Sequence, residues 1–127
     1  MKNIVICGSV KVREQLYEVA EKLKTMGYNP LLPVECLQGL DKMIASRAHL
    51  DRVVDPKNEI ILIVNATKNN IDNYIGPNTF AEIAFGFYYR KRIYLLNDIY
   101  EPFIDELEGW HVKPLKGDLK KLVEEEK

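Results

Sequence analysis

The chain predicts one α/β domain over residues 1–127: a doubly wound, flavodoxin-like or Rossmann-like sheet of five parallel strands with helices on both faces. Three observations carry this. Short apolar runs alternate with stretches of helical periodicity along the whole chain, the pattern of repeated βαβ units. The run IILIV at residues 60–64 is unbroken and largely β-branched, as suits a strand covered on both faces. A length of 127 residues is that of one domain with a real core.

Taken in order, NIVIC (residues 3–7) reads as the first strand. Val12, Leu16, Val19, Ala20 and Leu23 recur at helical spacing, so residues 11–26 read as a helix with one buried stripe, ended by Gly27. Residues 29–32 form a second short strand, stopped by Pro33. Residues 37–54 read as a weaker helix with Leu37, Leu40, Ile44, Leu50 and Val53 apolar. After the third strand comes a long polar loop, then a helix over about 79–91. Residues 93–96 give a fourth strand, 112–115 a fifth, and 117–126 a closing helix that turns Leu119, Leu122 and Val123 inward. Right-handed crossovers and the order 2-1-3-4-5 open a crevice between the ends of strands 1 and 3. The segments after those strands, GSVKVR and NATKNNIDNYIGPNT, are the richest in Gly, Asn, Thr and charge.

Bulk numbers narrow the function. Eighteen Lys and Arg stand against nineteen Asp and Glu, a net charge of −1, so no strong field favours a nucleic-acid polymer or an anionic membrane. No apolar run has the length of a membrane span, and nothing resembles a signal peptide, so a cytoplasmic protein is expected. Cys7 and Cys36 form no CxxC pair and only His49 and His111 are present, a poor supply for a zinc site. Cys7, in an apolar run, is expected to be a buried core thiol. No metal and no cofactor is expected.

The segment YIGPNTFAEIAFG (residues 74–86) raises the functional question. Thr79-Phe80-Ala81-Glu82 fits a T-x-x-E capping box, with Thr79 the cap and Glu82 reaching back. A carboxylate near a helix start is also favoured in its ionised form, as a nucleophile requires. Gly76, Pro77 and Asn78 leave room for a ligand, and the loop before them is long, which often marks function. In the first loop, Gly8 lets the backbone approach a ligand, while Ser9 and Arg13 suit a phosphate. A plain strand-to-helix turn is the competing reading. The loop has neither GxGxxG nor a P-loop. Asp51, Asp72 and Asp98 are candidate second carboxylates, with surface acids as the default. His49 is expected at the surface or in helix packing. Phe80, Phe85, Phe87, Tyr88 and Tyr89 are expected to divide between core and a subunit interface, and the EEEK tail to be a solvated end.

Together, GS after strand 1, IILIVN on strand 3, YIGPNTFAEIAFG and KRIYLLND on strand 4 resemble the nucleoside 2-deoxyribosyltransferase superfamily, which includes the 2′-deoxynucleoside 5′-phosphate N-hydrolases. The resemblance covers most of the chain and is most specific at residues 78–84. It implies a doubly wound fold, assembly as dimers or higher homo-oligomers, and a Glu that attacks the anomeric carbon to give a covalent glycosyl-enzyme. Carried onto this sequence it implies Glu82 as nucleophile and Asp51 as the acid serving the leaving base. Gly8, Ser9 and Arg13 would line the sugar or 5′-phosphate pocket, with Gly76, Asn78 and Thr79 completing the substrate-binding set. The chain departs from the pattern at Gly76, where transferases usually carry Asp, and at Asn78, where Gly is more usual. The expected function is cleavage of the N-glycosidic bond of a nucleoside or nucleoside 5′-monophosphate, hydrolase favoured over deoxyribosyltransferase. A non-catalytic nucleotide-binding or sensing module with the same fold is the alternative.

Overall fold

The computed structural model describes residues 1–33 and 41–127. Cys36, and the start of the helix expected over 37–54, lie outside the described residues. Five parallel strands, β1 (Asn3–Cys7), β2 (Asn29–Leu31), β3 (Ile60–Ile63), β4 (Arg92–Leu95) and β5 (Lys113–Pro114), form one sheet in the order β2-β1-β3-β4-β5. The expected doubly wound α/β architecture is therefore present. β5 is only two residues long, and its Pro114 is tolerated because this strand is a sheet edge.

The helices are α1 (Arg13–Thr25), α2 (Lys42–Val54), α3 (Pro77–Tyr88), α4 (Ile104–Gly109) and α5 (Lys120–Glu125). The short α4, entered from a 3-10 turn at Glu101–Phe103, has no counterpart in the sequence reading. Side chains alternate across the sheet with the strand period of two. Ile4, Ile6, Ile60, Leu62 and Tyr94 pack with Leu16, Leu23 and Leu122, so α1 and α5 cover one face. Val5, Cys7, Ile61, Ile63, Ile93 and Leu95 pack with Val53, Ile83 and Leu107, which puts α2, α3 and α4 on the other. All four residues of β3 are fully buried, as expected of IILIV.

Two glycines permit close packing. A Cβ on Gly86 would stand 2.6 Å from Ile61 Cδ1, so α3 lies on β3 only because that position is bare. A Cβ on Gly8 would stand 3.0 Å from Leu16 Cδ2 and 3.1 Å from the Val64 carbonyl. The first loop thus uses Gly8 to seat α1 against the sheet, rather than only to admit a ligand. The EEEK end is not simply solvated. Glu126 accepts from Arg92 Nε at 2.8 Å and Nη2 at 2.7 Å, and from the Tyr94 hydroxyl at 2.6 Å, clasping the end of the chain to β4. Among the described residues, no helix is long and apolar enough to cross a membrane.

Candidate active site

The loops after β1 and β3 meet at the expected crevice. Gly8, Ser9, Gly76, Asn78 and Thr79 line one cleft of about 250 Å³, together with Val10, Tyr74, Pro77 and three lysines, Lys11, Lys42 and Lys68. Five of the six expected substrate-binding residues therefore share a wall. The sixth, Arg13, is exposed outside the cleft and turns back to donate from Nε to the Val10 carbonyl at 3.2 Å. The cationic side chains that line the cleft are instead the three lysines. Lys68 reaches over the Tyr74 ring, 5.3 Å from its centroid, and lies 3.5 Å from the Ser9 hydroxyl. Lysine comes from α2 as well as from both loops, and no local motif announces that convergence.

The loop from β3 to α3 is shaped by asparagine. Asn69, Asn70 and Asn73 adopt positive φ, a region Asn enters more readily than most residues. The buried Asn65 pins the loop base. Its Nδ2 donates to the Asp98 carbonyl at 2.7 Å, and its Oδ1 accepts from the Asn97 N–H at 3.0 Å. Asp72 and Asp98 are exposed; Asp72 accepts from the Thr67 hydroxyl at 3.1 Å, and Asp98 from the Ile99 N–H at 2.7 Å. They act as loop-ordering groups.

Glu82 is not part of a capping box. α3 begins at Pro77 with Gly76 as its N-cap, and the Phe80 N–H donates to the Gly76 carbonyl at 2.9 Å. Pro at the first helical position sets this start, since its fixed φ and missing N–H suit it. Thr79 is then the third helical residue and Glu82 the sixth. Glu82 is one turn deeper than capping requires, where the helix dipole contributes little. It is only 4% exposed, in the inward stripe Thr79, Glu82, Ile83, Gly86.

The residue facing it is His49. In α2 the inward stripe is Ala45, His49 and Val53, four apart, whereas the apolar residues Met43 and Ile44 point to solvent. His49 is fully buried, so its packing role is present and a surface role is excluded. Its Nε2 lies 3.4 Å from Glu82 Oε2 and 3.4 Å from Cys7 Sγ, at the end of β1. Cys7 is the buried thiol expected. Burial pushes the imidazole pKa down to about 4, the Arg52 charge pushes it further the same way, and the Ile6 backbone opposes both weakly. His49 is therefore neutral at pH 7, and its contact with Glu82 is not an ion pair. Its Nδ1 is buried without a hydrogen bond; the Ile6 backbone favours a proton on the ring without meeting bonding geometry.

Asp51 does not join this group. It lies two residues beyond His49, about 200° around an α-helix, and is exposed. Asp51, the acid that the resemblance implies for the leaving base, is thus a solvent-facing residue of α2. A sequence signal for His49 did exist: the spacing Ala45, His49, Val53 repeats every four residues. Ile44 and Leu50, apolar but off that face, obscure it, although Val53 lies on it. A larger open groove of about 540 Å³ lies between α1 and α5, rimmed by Glu18, Lys22, Asp118 and Lys120. It contains no buried titratable group, so it is the weaker candidate.

Chemically, the arrangement offers a shielded carboxylate held beside a neutral imidazole, one helical turn from Thr79, which lines the lysine-bearing cleft. No family model, curated protein or solved structure matches the chain.

Proposed function

We propose that this protein cleaves the N-glycosidic bond of a nucleoside 5′-monophosphate, with Glu82 as the attacking carboxylate and water as the favoured acceptor. One observation carries the reading: a carboxylate occupies an inward, core-facing position of α3 beside His49, with Thr79 one turn before it in the cleft. Burying a carboxylate costs stability, and helix capping does not account for it here. As the C–N bond breaks, the base would leave with the bonding pair and take a proton from solvent; the oxocarbenium-like centre would be trapped by that carboxylate, and water would then displace the carboxylate from the sugar and give up its proton to solvent. The neutral His49 imidazole, 3.4 Å away, would hold Glu82 in place without neutralising it. Lys11, Lys42 and Lys68, with the free N–H groups at the start of α3, supply the positive surroundings a phosphate needs. They favour a nucleotide over a nucleoside.

Glu82 itself does not line the cleft, whose nearest wall residue on α3 is Thr79. That fact favours a second reading, a nucleotide-binding or sensing module in which the Cys7, His49 and Glu82 group is structural.

The test is release of free base, followed by chromatography, from deoxy- and ribonucleosides and their 5′-monophosphates, with and without an acceptor base. Release from a monophosphate, lost in Glu82→Gln with the fold intact, is expected. Tight nucleotide binding without base release from any substrate would replace the glycosidase reading with the binding module.

A further inference from the structure

Cys7 Sγ, His49 Nε2 and a Glu82 carboxylate oxygen, each from a buried residue, lie within 4.8 Å of one another. They come from β1, α2 and α3, three elements far apart in sequence. Nε2 forms the corner, with Sγ and Oε2 both at 3.4 Å. A hydrogen bond explains the sulfur contact. It explains the carboxylate contact less well, because strong N–H···O bonds close to about 2.7–3.2 Å.

A tetrahedral metal site explains both. With bonds of about 2.0 Å to nitrogen and oxygen and 2.3 Å to sulfur, neighbouring donors stand about 3.3–3.5 Å apart. The two measured separations match such edges. Two sides of 3.4 Å and a third no longer than 4.8 Å also place the centre of the triangle within about 2.4 Å of every corner.

We propose that Cys7, His49 and Glu82 are three ligands of a site for a borderline divalent transition-metal ion, Zn²⁺ foremost, with the fourth position open to water or a ligand. Thiolate, imidazole and carboxylate together select against Mg²⁺ and Ca²⁺, which prefer all-oxygen shells. Binding moves the Cys7 thiol proton to solvent and leaves imidazole neutral. Thiolate and carboxylate then balance the ion's two positive charges, so the buried site carries no net charge. With Nε2 on the ion, His49 carries its remaining proton on Nδ1, the ring nitrogen turned away from the metal. Thr79, a turn before Glu82, lines the cleft and marks the way in.

The site stands independently of the glycosidase reading and goes beyond it. If both hold, they exclude each other in time, because a Glu82 carboxylate bound to the ion is held in place and has its charge drawn toward the metal, which makes it a poor nucleophile for carbon. Zinc occupancy would stop turnover.

The experiment starts from the native chain stripped with a chelator and titrated with Co²⁺, then Zn²⁺. We expect one equivalent of Co²⁺ to bind, with the near-ultraviolet thiolate charge-transfer band and intense visible bands of a tetrahedral site, both displaced by Zn²⁺. Cys7→Ser should abolish the charge-transfer band. Glu82→Gln, nearly isosteric, should weaken binding at least tenfold. X-ray absorption of the zinc-loaded native chain needs no variant, and should show one sulfur at about 2.3 Å and lighter donors at about 2.0 Å. Failure of the native chain to bind stoichiometrically, a sulfur-free first coordination sphere, or an unchanged band in Cys7→Ser would each overturn the site. Stoichiometric binding without base release from any nucleotide would support the site and count only against the glycosidase.

Discussion

His49 Nε2 and Glu82 Oε2 lie 3.4 Å apart across the seam between α2 and α3, the imidazole fully buried and the carboxylate nearly so. Thirty-three residues separate them in sequence, and each takes a place in its helix that an aliphatic side chain would ordinarily fill. Buried polar pairs of this kind cost stability and are common where a function needs them.

Replacing Glu82 by Gln keeps the volume and removes the charge. On the glycosidase reading it should lower base release at least ~100-fold, the scale of losing one essential catalytic group. The melting temperature should change little or rise, because the desolvated carboxylate is gone. Parallel turnover assays and thermal melts check this. Native turnover in the variant would remove Glu82 from the mechanism.

The lysines should sort substrates by phosphate. Lys42→Ala and Lys68→Ala are expected to raise KM for a nucleoside 5′-monophosphate several-fold each and leave the matching nucleoside nearly unaffected. Because these groups are exposed or half-buried, added salt should reproduce part of the effect. Equal losses on nucleoside and nucleotide would show that the cleft does not hold the phosphate.

Gly86→Ala sets helix propensity against packing. Alanine gains up to about 1 kcal/mol in a helix interior, but its Cβ would stand 2.6 Å from Ile61 Cδ1 and 3.3 Å from Ile93 Cδ1. Overpacking of that kind costs about 1–3 kcal/mol, so net destabilisation is expected. Adding Ile61→Val removes the nearer atom. A double-mutant cycle by urea denaturation should then show clear non-additivity.

The Glu126 clasp should give the protein an acid-sensitive component. Burial alone would raise the Glu126 pKa, but hydrogen bonds from Arg92 and Tyr94 and the Arg92 charge outweigh it and hold the carboxyl below its usual value. A pKa lowered by folding stabilises the protein above the unfolded value. That contribution fades as the pH falls through the folded one. Stability measured from pH 6 downward should therefore drop below about pH 4.5, and Glu126→Gln should flatten this part of the curve. An unchanged profile in Glu126→Gln would assign the acid loss elsewhere.

The sheet order, the buried stripe of α1 and the crevice were legible because their signals are local. IILIV, short, unbroken and largely β-branched, suits a buried strand, and α1 repeats its apolar residues at helical spacing. α2 was less legible. Of its apolar residues Ile44, Leu50 and Val53, only Val53 belongs to the buried face, which it shares with Ala45 and His49, while Ile44 is exposed. The start of α3 was misplaced by two residues because Thr79 and Glu82 imitate a capping box, while Gly76-Pro77 is the true start. Asp51 was assigned from chain position, and helix rotation turns it outward. Glu126 appeared to be one of three tail acids, and only the position of Arg92 and Tyr94 on β4 distinguishes it.

Sequence by itself determined that this chain folds as a five-stranded parallel sheet with helices on both faces, and that its two polar loops share one end of that sheet. Those properties follow from hydrophobic period and chain connectivity, which any short window displays. Only the tertiary structure decided that Cys7, His49 and Glu82 meet at one buried point and that three lysines ring the cleft near it. The reason is physical. The face of a helix that becomes buried is set by what it packs against, and the environment of a polar group belongs to its neighbours in space, which here come from β1, α2 and α3 at once.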